Sequence, residues 1–369
     1  MQAAATAGNA DRSRKRANAF GRWSAYCTAF NVDPLLRDVA QPIPFFQAYA
    51  YQYRTGAVAP RGKAVGARSP EEAVRFIGQT MQLMGVGDKR FDPATNKIDT
   101  RLSNLWKHWT AEDPPPARVK PVPMMVLLKA QELAEADNCL ASACTARMMW
   151  INMFFLCRPG ESCATRYGSK FFRLRDVTLI NGELVLNWRS SDRELRQASD
   201  VHLTFTDQKN KHRNEKVGQK RTSHDKASPT VAVADQVIHL RNNNAPPDTP
   251  LCAFTENGHW FVVTSEMLTN LLRRAVRACP GCGLSESDIS ARSLRATGAM
   301  AMLCAGIDPC RIKLLGRWRS DEMLTYLHVQ AEPLYRDISE RMLTGGNYSF
   351  TPGTTAYETY QDNEDTLYA

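Results

Sequence analysis

Hydrophobic positions recur with the period of amphipathic helices over residues 19–110. The stretch FGRWSAYCTAF places apolar side chains three and four residues apart, on one predicted helix face. This stripe consists of Phe20, Trp23, Tyr26, Cys27 and Phe30. In SPEEAVRFIGQTMQLMG, Ser69 is the predicted N-cap and Pro70 the first helical residue. We therefore predict a helical N-terminal domain.

A proline-rich segment at residues 111–123, AEDPPPARVKPVP, ends this pattern. Its five prolines lack backbone N–H donors and prevent a regular helix or strand. A chain of 369 residues also exceeds the length of one ordinary hydrophobic core, which favours two domains. We therefore predict a linker at residues 111–123 and a second domain at residues 124–344.

The second domain alternates between helical and strand-like patterns. A helical pattern occupies about 124–157, and DVTLINGELVLNW then gives two strand-like runs around the Asn-Gly pair at 181–182, a strong hairpin signal. A third predicted strand, DVHLTFT, has alternating apolar residues: Val201, Leu203 and Phe205. Helical patterns return after about residue 230. The predicted fold class is mainly α with a small antiparallel β-sheet (α+β).

The composition argues against a membrane-spanning, secreted or disulfide-rich protein. No apolar run reaches the ~18 residues of a membrane span, and the N-terminus lacks the apolar core of a secretion signal. The ten cysteines are irregularly spaced, which favours reduced intracellular thiols over a disulfide framework. One C-x-x-C pair, Cys279 and Cys282, leaves structural zinc open as an alternative, without a second pair nearby. We predict no metal, no cofactor and no membrane partner.

Charge is unevenly distributed along the chain, whose formal net charge is +9. Residues 345–369 contain no lysine or arginine and form an acidic tail, which leaves a strongly basic body. A basic body favours a polyanionic partner, although a merely solvated basic surface is also open. We predict a disordered basic segment at residues 1–18. It holds a nuclear-import signal or a DNA-binding arm formed by Arg14, Lys15 and Arg16.

Two segments contain arginines in positions suited to anion binding. In FFLCRPGE, an apolar helix is predicted to stop at the Pro-Gly pair, with Arg158 at its carbonyl end and Glu161 close enough to orient the guanidinium. In ARSLRATGAMAMLCAG, Ser290 is the predicted cap, and Arg292 and Arg295 lie three residues apart on one helix face. Each pattern also occurs on ordinary solvated helices.

Two further segments carry candidate catalytic residues, namely a tryptophan on a turn, a tyrosine and two lysines. In GIDPCRIKLLGRW, Asp308 is predicted to cap a helix that ends at a glycine, which places Trp318 on a tight turn. The next predicted helix carries Tyr326 in its second turn. The turn after the third strand contains Lys209 and Lys211, which a hairpin tip could bring to a leaving oxygen.

In this order the motifs resemble those of the tyrosine recombinases, or phage-integrase-like recombinases. The order is R-x-x-E, a strand-associated lysine, [H/K]-x-x-R, [H/W] and tyrosine, and GRWRSDEMLTYL is similar to versions carried by eukaryotic mobile elements. The resemblance covers about residues 140–330. It implies the catalytic residues Arg158, Lys209, Arg292, Arg295, Trp318 and Tyr326, with Glu161 in support. An arginine at 292 departs from the usual His or Lys and argues against a general base there.

The resemblance implies a site-specific recombinase or integrase of a mobile element that needs neither metal nor ATP. Tyr326 would attack a scissile phosphate to give a 3′-phosphotyrosine and a 5′-hydroxyl, while Arg158 and Arg295 stabilise charge on the non-bridging oxygens. Lys209 would protonate the leaving oxygen and Lys211 would bind DNA, with Lys211 as the alternative proton donor. A 5′-hydroxyl from a partner strand would reverse the step.

The resemblance also implies partners and a compartment. Residues 19–110 would be a helical core-binding-like domain, and the chain would act on double-stranded DNA in the nucleus as a homo-tetramer, with an accessory DNA-bending protein as a further candidate partner. The tail at residues 345–369 would contact a neighbouring protomer or serve as a solubilising extension. Two other functions stay open: a domesticated DNA-binding protein without catalysis, and a type IB topoisomerase. Tyr335 is a rival nucleophile, farther from Trp318 than Tyr326.

Overall fold

The computed structural model describes residues 10–114, 119–166, 168–187, 189–206, 214–318 and the single residues 324, 339 and 342. The chain divides into two compact units, residues 1–117 and 118–369, and the boundary falls within the proline-rich segment at 111–123. Each unit has its own hydrophobic core. Among the described residues, none of the helices is long and apolar enough to cross a bilayer.

Amphipathic helices build the first unit around packed aromatic rings. Its helices are α1 (Ala10–Ala29), α2 (Pro42–Thr55), α3 (Arg68–Leu83) and α4 (Thr100–Glu112). Trp23 is fully buried, and its ring centroid lies 5.1 Å from those of Phe46 and Tyr49 on α2. Phe30 is 54% exposed, because α1 ends at Ala29 and the predicted stripe loses its last member.

The N-terminal segment differs from its prediction. Residues 10–18 lie in α1, so the expected disorder of residues 1–18 is wrong for this part, while residues 1–9 lie outside the described residues. The physical reason is that no proline or glycine interrupts residues 10–20. On α1, the basic cluster lies along the helix, with Arg14 and Lys15 exposed and Arg16 half-buried.

The start of α3 also differs from its prediction. The helix begins at Arg68, two residues before Pro70, so Ser69 is not the N-cap. Ala67 occupies the cap position, and its N–H donates to Asp113 Oδ2 at 2.5 Å. Asp113 follows α4, so the acceptor at the start of α3 comes from a distant part of the chain, and local spacing could not reveal it.

The second unit is built around α6, whose side chains from Met148 to Met153 are all buried. The predicted helical stretch at 124–157 contains α5 (Met124–Ala136) and α6 (Leu140–Phe154), separated at Asn138, whose φ is +48°. The remaining helices are α7 (Pro159–Ser162), α8 (Asp192–Arg196), α9 (Pro229–Asn242), α10 (Ser265–Arg277), α11 (Ser293–Cys304) and α12 (Pro309–Leu315).

A four-stranded antiparallel sheet packs in this unit and confirms the predicted fold class, mainly α with a small antiparallel sheet. Its strands, in the spatial order β2-β1-β3-β4, are β1 (Val177–Asn181), β2 (Leu184–Val185), β3 (Asp200–Phe205) and β4 (Glu215–Lys220). The β1–β2 hairpin forms where it was predicted, but its two turn residues are Gly182, with φ +62°, and Glu183, because Asn181 still belongs to β1 and pairs with Leu184. The predicted alternation in β3 is present, since Val201, Leu203 and Phe205 are buried.

A second, two-stranded sheet was not predicted. The strands β5 (Ala253–Glu256) and β6 (His259–Val262) form an antiparallel hairpin in the region where only helices were expected. Its turn residues, Asn257 and Gly258, have φ of +50° and +77°. An Asn-Gly pair between short strands is the same hairpin signal that located β1 and β2, so the sequence did contain the information.

The contact between α6 and α11 generates a stability prediction for Gly298. A Cβ at this position would lie 2.2 Å from the carbonyl oxygen of Met153 and 3.2 Å from Cγ of Leu156. Helix propensity alone would favour alanine by about 1 kcal/mol, whereas overpacking typically costs about 1–3 kcal/mol. We expect Gly298→Ala to lower the free energy of unfolding by about 1–2 kcal/mol, measured by denaturant unfolding.

Gly281→Ala is the matched control, because a Cβ at position 281 meets nothing within 4 Å. This variant should unfold with a midpoint within error of the unchanged chain. A Gly298→Ala midpoint that rises, as propensity alone would dictate, would contradict the close approach of α6 and α11.

Candidate active site

The buried carbonyl end of α6 organises the site. After Phe154 the chain reverses through Leu156, whose φ is +48°, and the buried residues Phe155 and Leu156 place their carbonyls just beyond the end of the helix. Buried carbonyls need donors, and the negative end of a helix favours cations. Arginines from two distant segments supply these donors, at the carbonyls of Phe155 and Leu156.

Arg158 follows this helix end and is held by Glu161. Proline at 159 favours extended backbone before it, and Arg158 has φ −76° and ψ 144° as the N-cap of α7. Its Nη1 donates to Glu161 Oε1 at 3.0 Å, and its backbone N–H donates to Glu161 Oε2 at 2.8 Å. The predicted pairing is therefore present. Glu161 is only 7% exposed, whereas the Arg158 side chain is 29% exposed and within reach of a ligand.

Arg295 lies on the first turn of α11 and is almost fully buried, at 3% exposure. Its Nη1 donates to the carbonyl of Leu156, and its Nη2 donates to the carbonyl of Gly316 at 2.5 Å. The guanidinium carbon lies 4.1 Å from the centroid of the Trp318 ring, in cation–π geometry. Arg295 therefore joins α6, α11 and the turn after α12.

The turn after α12 places Trp318 against Arg295. As predicted, Asp308 caps α12 by accepting from the N–H of Cys310 at 2.8 Å, and the helix ends before Gly316. A Cβ at position 316 would overlap the Trp318 ring at 1.5 Å, so the turn requires glycine. Trp318 is buried in a small cluster that also contains Leu156, Ala299 and Ile312.

Arg317 is a buried residue of this site that the sequence analysis did not identify. Its Nη1 donates to the carbonyls of Phe155 and Leu315, both at 3.1 Å. Its Nη2 donates to the carbonyl of Leu156 at 3.2 Å and lies 3.5 Å from Glu161 Oε2. Its position between a helix-ending glycine and a tryptophan was the available signal, but the sequence does not show what Arg317 contacts.

These contacts form one network of four side chains, which we call the arginine network: Arg158, Glu161, Arg295 and Arg317. Glu161 accepts hydrogen bonds from Arg158 and Arg317, and the Leu156 carbonyl accepts from Arg295 and Arg317. The network holds three guanidiniums and one carboxylate, and Glu215 adds a second negative charge near Arg317, so positive charge is still in excess in a largely buried environment. Such a site suits an anion with several oxygens, such as a phosphodiester.

Arg292 does not share the environment of Arg295, contrary to the expectation that both project from one helix face. It is exposed and occupies the N-cap position of α11, because the helix starts at Ser293 rather than after Ser290. Ser290 Oγ instead accepts from the N–H of Arg292 at 3.3 Å. Arg292 lines a cavity of about 840 Å³ beside the turn that follows Arg158.

This cavity, called the basic cavity below, has three arginines in its lining. It is formed by the segment after Arg158, the N-terminal end of α10 and the residues before α11. Its walls include Pro159, Gly160, Arg166, Asn270, Arg273 and Arg292. Glu266 adds one carboxylate, so arginine exceeds acid among the described lining residues. The basic cavity thus lies directly beside the segment that holds Arg158.

Four predicted site residues lie outside the described residues: Lys209, Lys211, Tyr326 and Tyr335. The strands on either side of the lysine turn, β3 and β4, are paired as a hairpin. In the part of the chain that the structure describes, no group of three His, Cys, Asp or Glu side chains is arranged to hold a metal ion. Cys279 and Cys282 are free thiols.

Cys157 lies beside the arginine network and is a second nucleophilic side chain to consider. Burial raises the pKa of its thiol well above the ordinary value, and its Sγ lies 3.9 Å from the carbonyl of Ile151. The neutral thiol is a poor nucleophile, since the thiolate is the attacking species. Cys157 is therefore a structural residue of the core.

No protein-family model and no curated protein matches the sequence. Among solved structures, XerA recombinase is 12% identical, with 91% of this chain and 100% of that chain covered and a TM-score of 0.36. The Tn1549 transposon integrase in complex with circular intermediate DNA is 11% identical, with 88% and 99% covered and a TM-score of 0.47. The integrase from mycobacterium phage Brujita is 17% identical, with 94% and 91% covered and a TM-score of 0.28. Since these TM-scores lie below 0.5, the chain's own residues carry the functional proposal.

The burial of Cys157 beside the arginine network generates a prediction for thiol reactivity. At about pH 8, iodoacetamide should modify the exposed Cys139 and Cys310 quickly and leave Cys157 unmodified, because a buried thiol with a raised pKa neither ionises nor meets the reagent. Peptide mass spectrometry, with and without denaturant, measures the modification of each thiol. Rapid modification of Cys157 in the folded chain would contradict a buried network.

Proposed function

We propose that this chain is a site-specific DNA recombinase or integrase that cleaves and rejoins strands through a 3′-phosphotyrosine intermediate. The observation that carries the proposal is the arginine network with Trp318 beside it. Its members come from three segments that are far apart in sequence, and each segment carries one of the sequence motifs described above. A surplus of guanidiniums at one buried point supports binding of a phosphate that gains charge during reaction.

The proposed step is a transesterification at phosphorus. The phenolic oxygen of Tyr326 forms a bond to the scissile phosphorus, and the bond from phosphorus to the 5′ oxygen breaks. The phenolic proton of Tyr326 passes to solvent as the bond to phosphorus forms, and Lys209 donates the proton that the leaving 5′ oxygen takes. The reverse step, with a 5′-hydroxyl from another strand, restores a phosphodiester and releases the tyrosine, so bond energy is conserved without ATP.

The two predicted arginines would act from different depths. Arg158, whose side chain reaches the surface, would contact a non-bridging oxygen directly, with Glu161 fixing its orientation. Arg295 would contribute charge from a buried position, where a fixed cation acts more strongly than in water. Removal of one preorganised donor of this type typically lowers the rate by about 10²–10³.

The basic cavity would bind the same DNA strand next to the scissile phosphate. Arg292, Arg273 and Arg166 line it, and the N-terminal end of α10 adds backbone N–H groups. In this proposal Arg292 contacts a neighbouring phosphate rather than serving as a base. The substrate is double-stranded DNA, and strand exchange is proposed to take place in a homo-tetramer in the nucleus, on behalf of a mobile element.

Covalent trapping tests the proposed function. The protein is incubated with nicked duplexes taken from the DNA that flanks its coding sequence, and adducts that survive denaturant are separated by electrophoresis. The unchanged chain and Tyr335→Phe should form the adduct, while Tyr326→Phe should reduce it to background, because the phenolic oxygen is the nucleophile. Arg295→Gln should lower the adduct rate by about 10²–10³.

Other outcomes separate the alternatives. Tight binding without any adduct would support a DNA-binding protein that has lost catalysis. Loss of the adduct in Tyr335→Phe instead of Tyr326→Phe would identify Tyr335 as the nucleophile. Relaxation of supercoiled plasmid without recombinant products would support a topoisomerase.

The basic cavity makes a separate prediction about DNA affinity. If Arg273 contacts one phosphate, Arg273→Gln should reduce the slope of log affinity against log salt concentration by about 0.9. The matched control is Arg277→Gln, one turn along α10, where Arg277 pairs with Glu286 at 2.8 Å outside the cavity lining. Fluorescence anisotropy over a series of salt concentrations measures both slopes. Equal slopes for the two variants would show that Arg273 does not contact a DNA phosphate.

A further inference from the structure

We infer that Arg317 is a positioning residue that holds the catalytic cations of the proposed site in a common geometry. This inference rests on the proposed function. Arg317 is 6% exposed and therefore does not itself reach the substrate. Its role follows from three contacts: with the carboxylate that orients Arg158, with the carbonyl that also binds Arg295, and with the strand that precedes Lys209.

The first contact is with the carboxylate that orients Arg158. Glu161 Oε2 accepts the backbone N–H of Arg158 at 2.8 Å and lies 3.5 Å from Nη2 of Arg317, while Oε1 accepts from the Arg158 side chain at 3.0 Å. Arg317 thus approaches the carboxylate on the oxygen that does not hold the Arg158 guanidinium. It fixes the direction in which Glu161 presents Oε1, and through it the direction of Arg158.

The second contact is with the carbonyl that holds Arg295. The Leu156 oxygen accepts from Arg295 Nη1 and from Arg317 Nη2, so the two guanidiniums meet at one atom. Arg317 also binds the preceding carbonyl, of Phe155, and the carbonyl of Leu315 at the end of α12. These bonds join the end of α6 to the turn that carries Trp318, against which Arg295 packs.

The third contact is with the strand that leads into the lysine turn. The guanidinium carbon of Arg317 lies 3.6 Å from the centroid of the Phe205 ring, in cation–π geometry. Phe205 is the last residue of β3, and Lys209 follows four residues later. Arg317 therefore packs against the base of the segment from which the proposed general acid extends.

Position 317 is occupied by arginine although its backbone conformation and its burial both disfavour this residue. The backbone of Arg317 has φ +57°, in the left-handed region that favours glycine. Burial also disfavours its charged form and lowers its pKa from the ordinary value. Because a buried ion pair is weak evidence for stability, and apolar side chains often replace one without loss, a need for the guanidinium's directed donors explains the residue better.

Single-turnover cleavage at saturating DNA tests this role. Arg317→Lys keeps the charge but loses the planar set of donors, and Arg317→Met removes both. Displacement of catalytic groups by about 1 Å costs on the order of 10² in rate, so we expect about a 100-fold slower adduct formation for Arg317→Lys. The dissociation constant for DNA should stay within about twofold, because the side chain is buried away from the substrate.

Coupling to Arg158 distinguishes positioning from a general structural effect. If Arg317 acts through Glu161 on Arg158, the rate loss caused by Arg317→Lys should shrink to less than about tenfold in an Arg158→Lys background. Arg196→Met, which removes an exposed arginine paired with Asp235 on another face of the unit, is the control and should leave the rate unchanged. Melting temperatures are measured for all variants.

The outcomes distinguish a positioning role of Arg317 from a role in stability alone. A rate for Arg317→Lys within about threefold of the unchanged chain overturns the inference, and so do fully additive losses with Arg158→Lys. Rate losses that only follow the unfolded fraction of the variants assign Arg317 to stability and also overturn it. Absence of any adduct in the unchanged chain would instead overturn the proposed function, and the positioning role with it.

Discussion

Two buried carbonyl groups just beyond the end of α6, those of Phe155 and Leu156, are the constraint on which the candidate site depends. Water cannot reach them, so the fold must supply donors from elsewhere in the chain. Arg295 from α11 and Arg317 from the turn after α12 do so at the carbonyl of Leu156. Meeting this local requirement brings two guanidiniums, a tryptophan and the Arg158–Glu161 pair to one point, although they are far apart in sequence.

Local rules were enough for the parts of the site that depend on neighbouring residues. The spacing of Arg158 and Glu161 across a Pro-Gly turn predicted their pairing, and Asp308 with the following proline predicted the start of α12. The Asn-Gly pair predicted the β1–β2 hairpin. In each case the interacting groups lie within about four residues, where backbone geometry nearly determines whether they can meet.

Contacts between distant residues account for most of what the sequence did not reveal. The cap of α3 is supplied by Asp113 from the end of α4, and Arg292 and Arg295 differ in burial because only Arg295 faces α6 and the turn. Arg317 gave no periodic signal, since its importance lies in contacts with five groups from three segments. The β5–β6 hairpin is different: its Asn-Gly signal was present, but the surrounding helical pattern outweighed it.

The imbalance of charge in the arginine network links its stability to its proposed use. Glu161, even with Glu215 near Arg317, does not neutralise three guanidiniums, so like charges lie close together in a poorly solvated place, at a cost to folding. A bound phosphate would relieve that repulsion, and a phosphate that gains negative charge in the transition state would relieve it further. The same repulsion that costs the fold stability therefore favours the transition state over the bound ground state, which is the condition for catalysis.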